Sequence, residues 1–353
     1  MYQTINKKYN DKKIYTSSYS RVTWIDIAKG YGILFVILGH IGASFLKSEI
    51  YTFHIPLFFF LSGCVFSANK YNLKNFIKRK IKTIIIPYIM LGIPMIIFTF
   101  FKMYNENNRN INDYGLLVVK FLMQERLWTL WFMACLFWLN ILFYLLVKRL
   151  NNNYKKVGAA TITLMILGVL YYKFIGVPLI WNIDVCLTAI PFFYAGYLFK
   201  NEHYIQNIVL KKERKLICFI IFLFINLFCG MLAHKIDGGG LEMFRSSYGF
   251  APLTYLSAFG GIVCIVIISS SFDIKFIKYI GANSLVYFAW HQTIIMPIVN
   301  EVYKTLNVFQ SENLSFSLKI LKTSLSLFII LIVLTLADYI IRNTKLKFML
   351  GMK

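Results

Sequence analysis

Acidic residues are scarce in this chain: 15 Asp and Glu stand against 38 Lys and Arg, and charged residues make up only 15% of 353 positions. Ordinary soluble domains carry about 25% charged residues, so a water-soluble globular enzyme is excluded. Cysteine supplies no framework either. Six occur singly, at 64, 135, 186, 218, 229 and 264, with no CxxC and no Cys/His ligand spacing. That excludes a disulfide scaffold and leaves no metal site to expect, so they read as small membrane hydrophobes. No repeat of about 20–50 residues is present. A cleavable signal peptide is not expected, because residues 1–20 are polar and basic and the first apolar segment has no small-residue exit.

What fills the chain is apolar surface. Hydrophobic residues reach 58% and aromatic residues 18%, with 33 Phe and 23 Tyr and a mean hydropathy of +0.62. Aromatic rings at this density suit lipid-facing and interfacial positions. Ten apolar segments follow one another at about 27–45, 52–68, 83–101, 127–147, 157–172, 181–199, 216–233, 251–269, 284–302 and 318–341. The expected fold is therefore all-α: a polytopic integral membrane protein of about ten transmembrane helices. Residues 1–20 form a polar cytoplasmic tail, and 21–353 form a single transmembrane domain. The region 102–126 reads as a polar, Asn-rich loop.

The net charge of +23 does not point to nucleic acid, because the basic residues are scattered between apolar segments. Of the 38 Lys and Arg, 27 fall in residues 1–29, 70–82, 148–156, 200–215, 275–278 and 342–353, which leaves 11 for the intervening connections. By the positive-inside rule this alternation places both termini in the cytoplasm.

The segment Arg21 to Gly63 departs from plain hydrophobicity. Its first half, Ile27 to Phe45, is long and apolar enough to cross a bilayer yet carries Lys29 and His40. A helix turns about 1100° over the 11 residues between them, so the two share one face, roughly 16 Å apart along the axis. Asp26 starts that face. Ionisable groups inside a membrane span usually face a bundle interior or aqueous cavity and mark a functional pathway. On periodicity alone, however, His40 also reads as a packing residue bonded to a neighbouring helix, and Lys29 as a side chain snorkelling from a helix end.

The sequence D-I-A-K-G-x9-H, followed by F-H-I-P-L-F-F-F-L-S-G, resembles the opening of the acyltransferase-3 family of integral membrane acyltransferases. The likeness is greatest to the branch named for fucose 4-O-acetylases. In that family a basic residue, more often Arg, stands eleven positions before an essential His, and an Asp stands three before the basic residue. Asp26, Lys29 and His40 occupy those positions and are the expected catalytic residues. An Arg-x-x-Arg pair before a Pro-Tyr is assigned in the family to the acyl-CoA donor. Here, before Pro87-Tyr88, Lys80 fits the first position with Thr83 in the second, or Arg79 and Lys82 fit with a one-residue shift. Lys29, Arg79, Lys80 and Lys82 are the expected donor-binding residues, where basic residues also serve as topology signals or lipid contacts. His54, in the F-H-x-P element, and His291, in G-A-N-S-L-V-Y-F-A-W-H-Q, are the expected acceptor-binding residues, with packing as the alternative for each. Trp128 and Trp131 match a family Trp and equally suit an interfacial belt. Asp184, His203 and His234 have no motif support.

The resemblance implies an O-acyltransferase of the bacterial cell membrane, taking acetyl from cytoplasmic acetyl-CoA to a sugar hydroxyl of a surface polysaccharide or its lipid-linked precursor. Besides donor and acceptor, membrane lipid is the one expected partner, and no permanently bound cofactor is expected. A neutral alcohol attacks a thioester poorly without a base, and histidine suits that role near neutrality. The sequence leaves open whether His40 is purely a base or carries the acetyl group transiently. A glycan flippase or exporter with the same bundle is the alternative.

Overall fold

The computed structural model describes residues 22–352 apart from positions 42–43, 108, 203–205, 207–210, 238–240 and 310–313. The expected tail at 1–20 and His203 lie outside the described residues. The described chain is helical, with no strand and one isolated antiparallel bridge, Glu242 to Ser247. Its helices are α1 (Thr23–His40), α2 (Ser44–Cys64), α3 (Leu73–Asn105), α4 (Ile111–Met123), α5 (Trp131–Arg149), α6 (Tyr154–Phe174) and α7 (Ile183–Asn201). There follow α8 (Lys212–Asp237), α9 (Ala251–Ser271), α10 (Lys275–Ala282), α11 (Ser284–Trp290), α12 (Met296–Thr305) and α13 (Phe316–Asn343).

Among the described residues, seven helices are long and apolar enough to cross a membrane. The three other expected segments, in α1, α2 and α11–α12, are also helical, but polar residues dilute them. Asp26, Lys29 and His40 lie in α1, Lys47, Glu49 and His54 in α2, and Gln292, Asn300 and Glu301 in the α11–α12 stretch.

Two expectations at the segment edges are corrected. The helix of the third apolar segment, expected from residue 83, starts within the basic run before it: Asn72 caps it by accepting from the Asn75 N–H at 3.0 Å, and it runs on, through one π turn, to Asn105. The region 102–126 is not all loop, because it contains α4, which reads INDYGLLVVKFLM. Helix α4 docks through Phe121, whose ring stacks on Tyr88 at 4.9 Å, and Tyr88 donates its hydroxyl hydrogen to the Phe121 carbonyl. Composition alone misread this helix, because its Asn-rich ends outweigh one short apolar face.

Helices α1 and α2 occupy the centre. α1 touches α2, α9, α10 and α11, and α2 also packs on α7 and α9. The approach of α10 to α1 is close enough to require glycine. A Cβ on Gly30 would lie 2.1 Å from the Ile277 carbonyl oxygen, and one on Gly281 would lie 1.7 Å from that of Asp26. Membrane helices associate through such small-residue contacts because lipid gives no hydrophobic drive between them. The arrangement locks the Asp26–Lys29 end of α1.

Two single π-helical turns interrupt otherwise regular helices, at Ile81–Ile85 in α3 and at His291–Ile295 between α11 and α12. Each stands just ahead of a proline, Pro87 and Pro297. Proline has no N–H and its ring clashes with the carbonyl four residues back, and a wider turn there relieves both. Such turns are frequent at functional sites.

Candidate active site

His40 is the last residue of α1 and half-buried. The chain reverses into α2, which presents Tyr51 and His54 three positions apart on adjoining faces. The His40 ring lies 6.2 Å from that of Tyr51, and Tyr51 lies 4.9 Å from His54, both edge-on. His54 is buried, and its Nδ1–H donates to the Ile50 carbonyl at 2.8 Å. On the far side of His40 stands His291, the first residue of the second π turn, with ring centroids 5.2 Å apart.

His40 opens onto a cavity of about 590 Å³. Aromatic rings of Tyr51, Phe98, Trp128, Trp131, Phe244 and Phe288 form much of its wall. Polar groups converge among them: His54, Thr99, Thr129, Glu242, Gln292 and Thr293, with Lys47, Lys102 and Arg245 adding positive charge. A mostly apolar concavity with a few converging polar groups is the usual form of a small-ligand site. A second cavity of about 220 Å³, lined by Ile41, Met296, Val299, Asn300, Lys322, Ser326 and Ile330, also reaches His40. His40 thus lines both.

Motif reasoning missed the supports of this site. The turn before α5 holds Gln124, Arg126 and Trp128 at positive φ. Gln124 is fully buried. Its Nε2 donates to the Tyr88 hydroxyl at 3.0 Å, and its Oε1 accepts from the Leu127 N–H at 2.9 Å. Arg126 forms an ion pair with Asp184 at the start of α7 and donates to Ser246 Oγ. The Ser246 hydroxyl donates in turn to Asp184 at 3.0 Å. This network fastens the segment Leu241–Arg245, which walls the large cavity, to the bundle. Arg126 and Asp184 are about 58 residues apart in sequence, and only folding reveals them as partners. At the opposite end, Asp338 is fully buried and accepts from Arg342 Nε at 2.9 and 2.8 Å, with the Tyr279 hydroxyl at 3.4 Å. Asp338 and Arg342 both lie on α13, and the Tyr279 hydroxyl ties that pair to α10, the helix clamped on α1.

The expected residues divide between the two ends of α1. His40 and His54 line the large cavity. His291 is fully buried behind His40 and lines neither cavity, although its neighbours Gln292 and Thr293 do. Asp26 is buried and Lys29 half-buried, about eleven residues back along the same helix. Arg79, Lys80 and Lys82 lie where α3 enters its π turn. Arg79 donates to the Tyr71 hydroxyl, Lys80 sits 5.3 Å over the Phe76 ring, and Lys82 is exposed. The chain's final turn packs beside them, because Gly351, at φ 70°, lies against the Lys82 carbonyl. Among the described residues no three His, Cys, Asp or Glu side chains gather as a metal site.

No curated protein and no solved structure matches the chain. A family model described as an acyltransferase domain does match, over residues 22–341. That interval contains α1 through nearly all of α13, with the cavity, the three histidines and the basic entry to α3. The match thus covers the bundle whole, and the chain belongs to the acyltransferase-3 family and is a membrane acyltransferase.

Proposed function

We propose that the protein transfers acetyl from cytoplasmic acetyl-CoA to a sugar hydroxyl of a cell-surface polysaccharide or its lipid-linked precursor. The position of His40 carries this reading: it is a half-buried imidazole at the head of an aromatic-walled cavity, on the same helix as a basic residue roughly 16 Å away. Helix α1 crosses from the cytoplasmic face at Lys29 towards the outer face at His40. The chain spans a bacterial cell membrane ten times with both termini in the cytoplasm. The donor's phosphates lie against Lys29, Arg79, Lys80 and Lys82, where multiple positive charges favour a polyanion. Asp26 orients and partly neutralises Lys29. The flexible arm of the donor then carries the thioester along α1 to His40.

In the cavity, Trp128 and Trp131 offer flat faces to a sugar ring, and His54 with Glu242 and Gln292 offers hydrogen bonds to its hydroxyls. His40 takes the proton of the acceptor hydroxyl as its oxygen attacks the thioester carbonyl. The carbon–sulfur bond breaks, and His40 returns that proton to the departing CoA thiolate. The test uses purified protein in detergent, acetyl-CoA labelled in the acetyl group, and the glycan fraction of the host. Free thiol and labelled glycan should appear together and depend on His40. Labelled glycan absent at every glycan preparation tried, with acetyl-CoA intact, overturns the proposal.

A further inference from the structure

His291 is buried without a role in the scheme above, and its hydrogen bonding is unequal. Its Nδ1 faces two backbone carbonyls, Tyr287 at 2.9 Å and Phe288 at 3.0 Å. Carbonyl oxygens only accept, so Nδ1 carries the hydrogen and donates it. In a neutral imidazole the other nitrogen, Nε2, then keeps a lone pair. Nε2 is buried and has no partner, although a buried polar atom ordinarily finds one and leaving it bare costs free energy. The ring next to it is His40, at a centroid separation of 5.2 Å. Two imidazoles joined by an N–H···N bond of about 3 Å have centroids about 5 Å apart. The separation therefore allows such a bond. The planes are tilted by 43° and the bond is not closed in this geometry, so closing it takes a rotation of one ring. The χ2 torsion of histidine is broad, and catalytic hydrogen bonds often tighten only with substrate bound.

From this we infer that His291 is a positioning residue for the proposed acyl transfer. Its Nε2 accepts the N–H of His40, which turns the opposite, unprotonated nitrogen of His40 towards the acceptor hydroxyl. When His40 takes the hydroxyl proton it becomes an imidazolium, and the same bond becomes charge-assisted and stronger. No proton passes to His291. The stabilisation grows in the transition state, and such an interaction raises kcat more than it lowers KM. The π turn has a part in this. It begins at His291 and leaves the carbonyls of Tyr287 and Phe288 both within reach of Nδ1, fixing the tautomer. The inference rests on His40 being the base.

Two substitutions separate positioning from packing. Asn at 291 places an amide nitrogen where Nδ1 was and keeps the bonds to the two carbonyls, but it has nothing at the ε position. Gln places its amide at the ε position, where the oxygen can accept from His40. His291→Asn should lower kcat for labelled acetyl transfer about ten- to a hundredfold, the range for a lost bond to a charged group, with KM for acetyl-CoA unchanged. His291→Gln should recover most of that loss. Equal activities in the two variants, or Asn the better, would overturn the inference. A second measurement stands apart from turnover. The chain has 5 His, so nitrogen-15 spectra of histidine-labelled protein in lipid nanodiscs are assignable. His291 should appear as the Nδ1–H tautomer, with an Nε2 signal that moves in His40→Ala. An Nε2 signal indifferent to His40 overturns the inference even if acetyl-CoA proves not to be the donor. A moving signal upholds the pairing and leaves any failure with the donor assignment.

Discussion

Arg126 and Asp184 form an ion pair that ties the turn bearing Trp128 to the start of α7, with Ser246 closing the triangle from the cavity wall. Their side chains are 12% and 5% exposed, so the pair lies outside bulk-water screening. Breaking such a pair by removing one partner typically costs about 3–5 kcal/mol, while replacing both with apolar groups is often neutral. Arg126→Leu alone should therefore lower the apparent Tm in detergent more than Arg126→Leu with Asp184→Leu together. A single variant as stable as the double would show that Asp184 needs no partner.

Removal of His40 is expected to silence acyl transfer without unfolding the bundle. His40→Ala keeps a helix-favouring residue at the end of α1. A general base contributes about 10²–10⁴-fold, so glycan acetylation should fall at least a hundredfold at normal protein level. His40→Gln keeps a hydrogen bond but cannot accept a proton at neutral pH, and it should be as inactive as Ala. Near wild-type acetylation by the Gln variant would make His40 a packing residue.

The basic entry to α3 should act on donor affinity rather than on chemistry. Replacing Arg79, Lys80 and Lys82 together by Gln is expected to raise KM for acetyl-CoA about tenfold or more and to change kcat little, as expected for binding that is uniform in ground and transition states. Lys29→Arg keeps the charge and should stay active. An unchanged KM in the triple variant would reduce the cluster to a topology signal.

The topology is tested with two reporters. One fused after Lys353 should report cytoplasm, and one inserted between Glu242 and Ser246 should report the exterior. An exterior C-terminus would overturn the ten-span arrangement.

Much of the fold was legible because its signal is local. Apolar runs such as Trp131–Arg149 and Ala251–Ser271 declare themselves by composition, and the Lys29-to-His40 face follows from helical period alone. The companions of His40 were legible as motif members but not as neighbours. Nothing local places His291 about 5 Å from His40, since that depends on how α11 meets α1. The Arg126–Asp184–Ser246 network, the joining of Gly351 to Lys82 and the helix inside 102–126 were illegible for the same reason: each is decided by long-range packing, which residue periodicity does not encode.

The polar dilution of α1, α2 and α11–α12 bears on how the protein is made. Charged side chains are costly in an inserting helix, most at its centre and less near its ends, and these helices carry Asp26 and Lys29, Lys47 and Glu49, and Glu301. α1 and α2 are synthesised before α7, α9 and α10, the helices that pack on them. Burial of these charges therefore depends on contacts with α7, α9 and α10 that form only later in synthesis. Helix α10 comes late, with Gly281 the surface on which α1 finally seats. A bulky residue at 281 would then act on assembly, keeping α1 from its seat and lowering the yield of folded protein rather than the turnover of what folds.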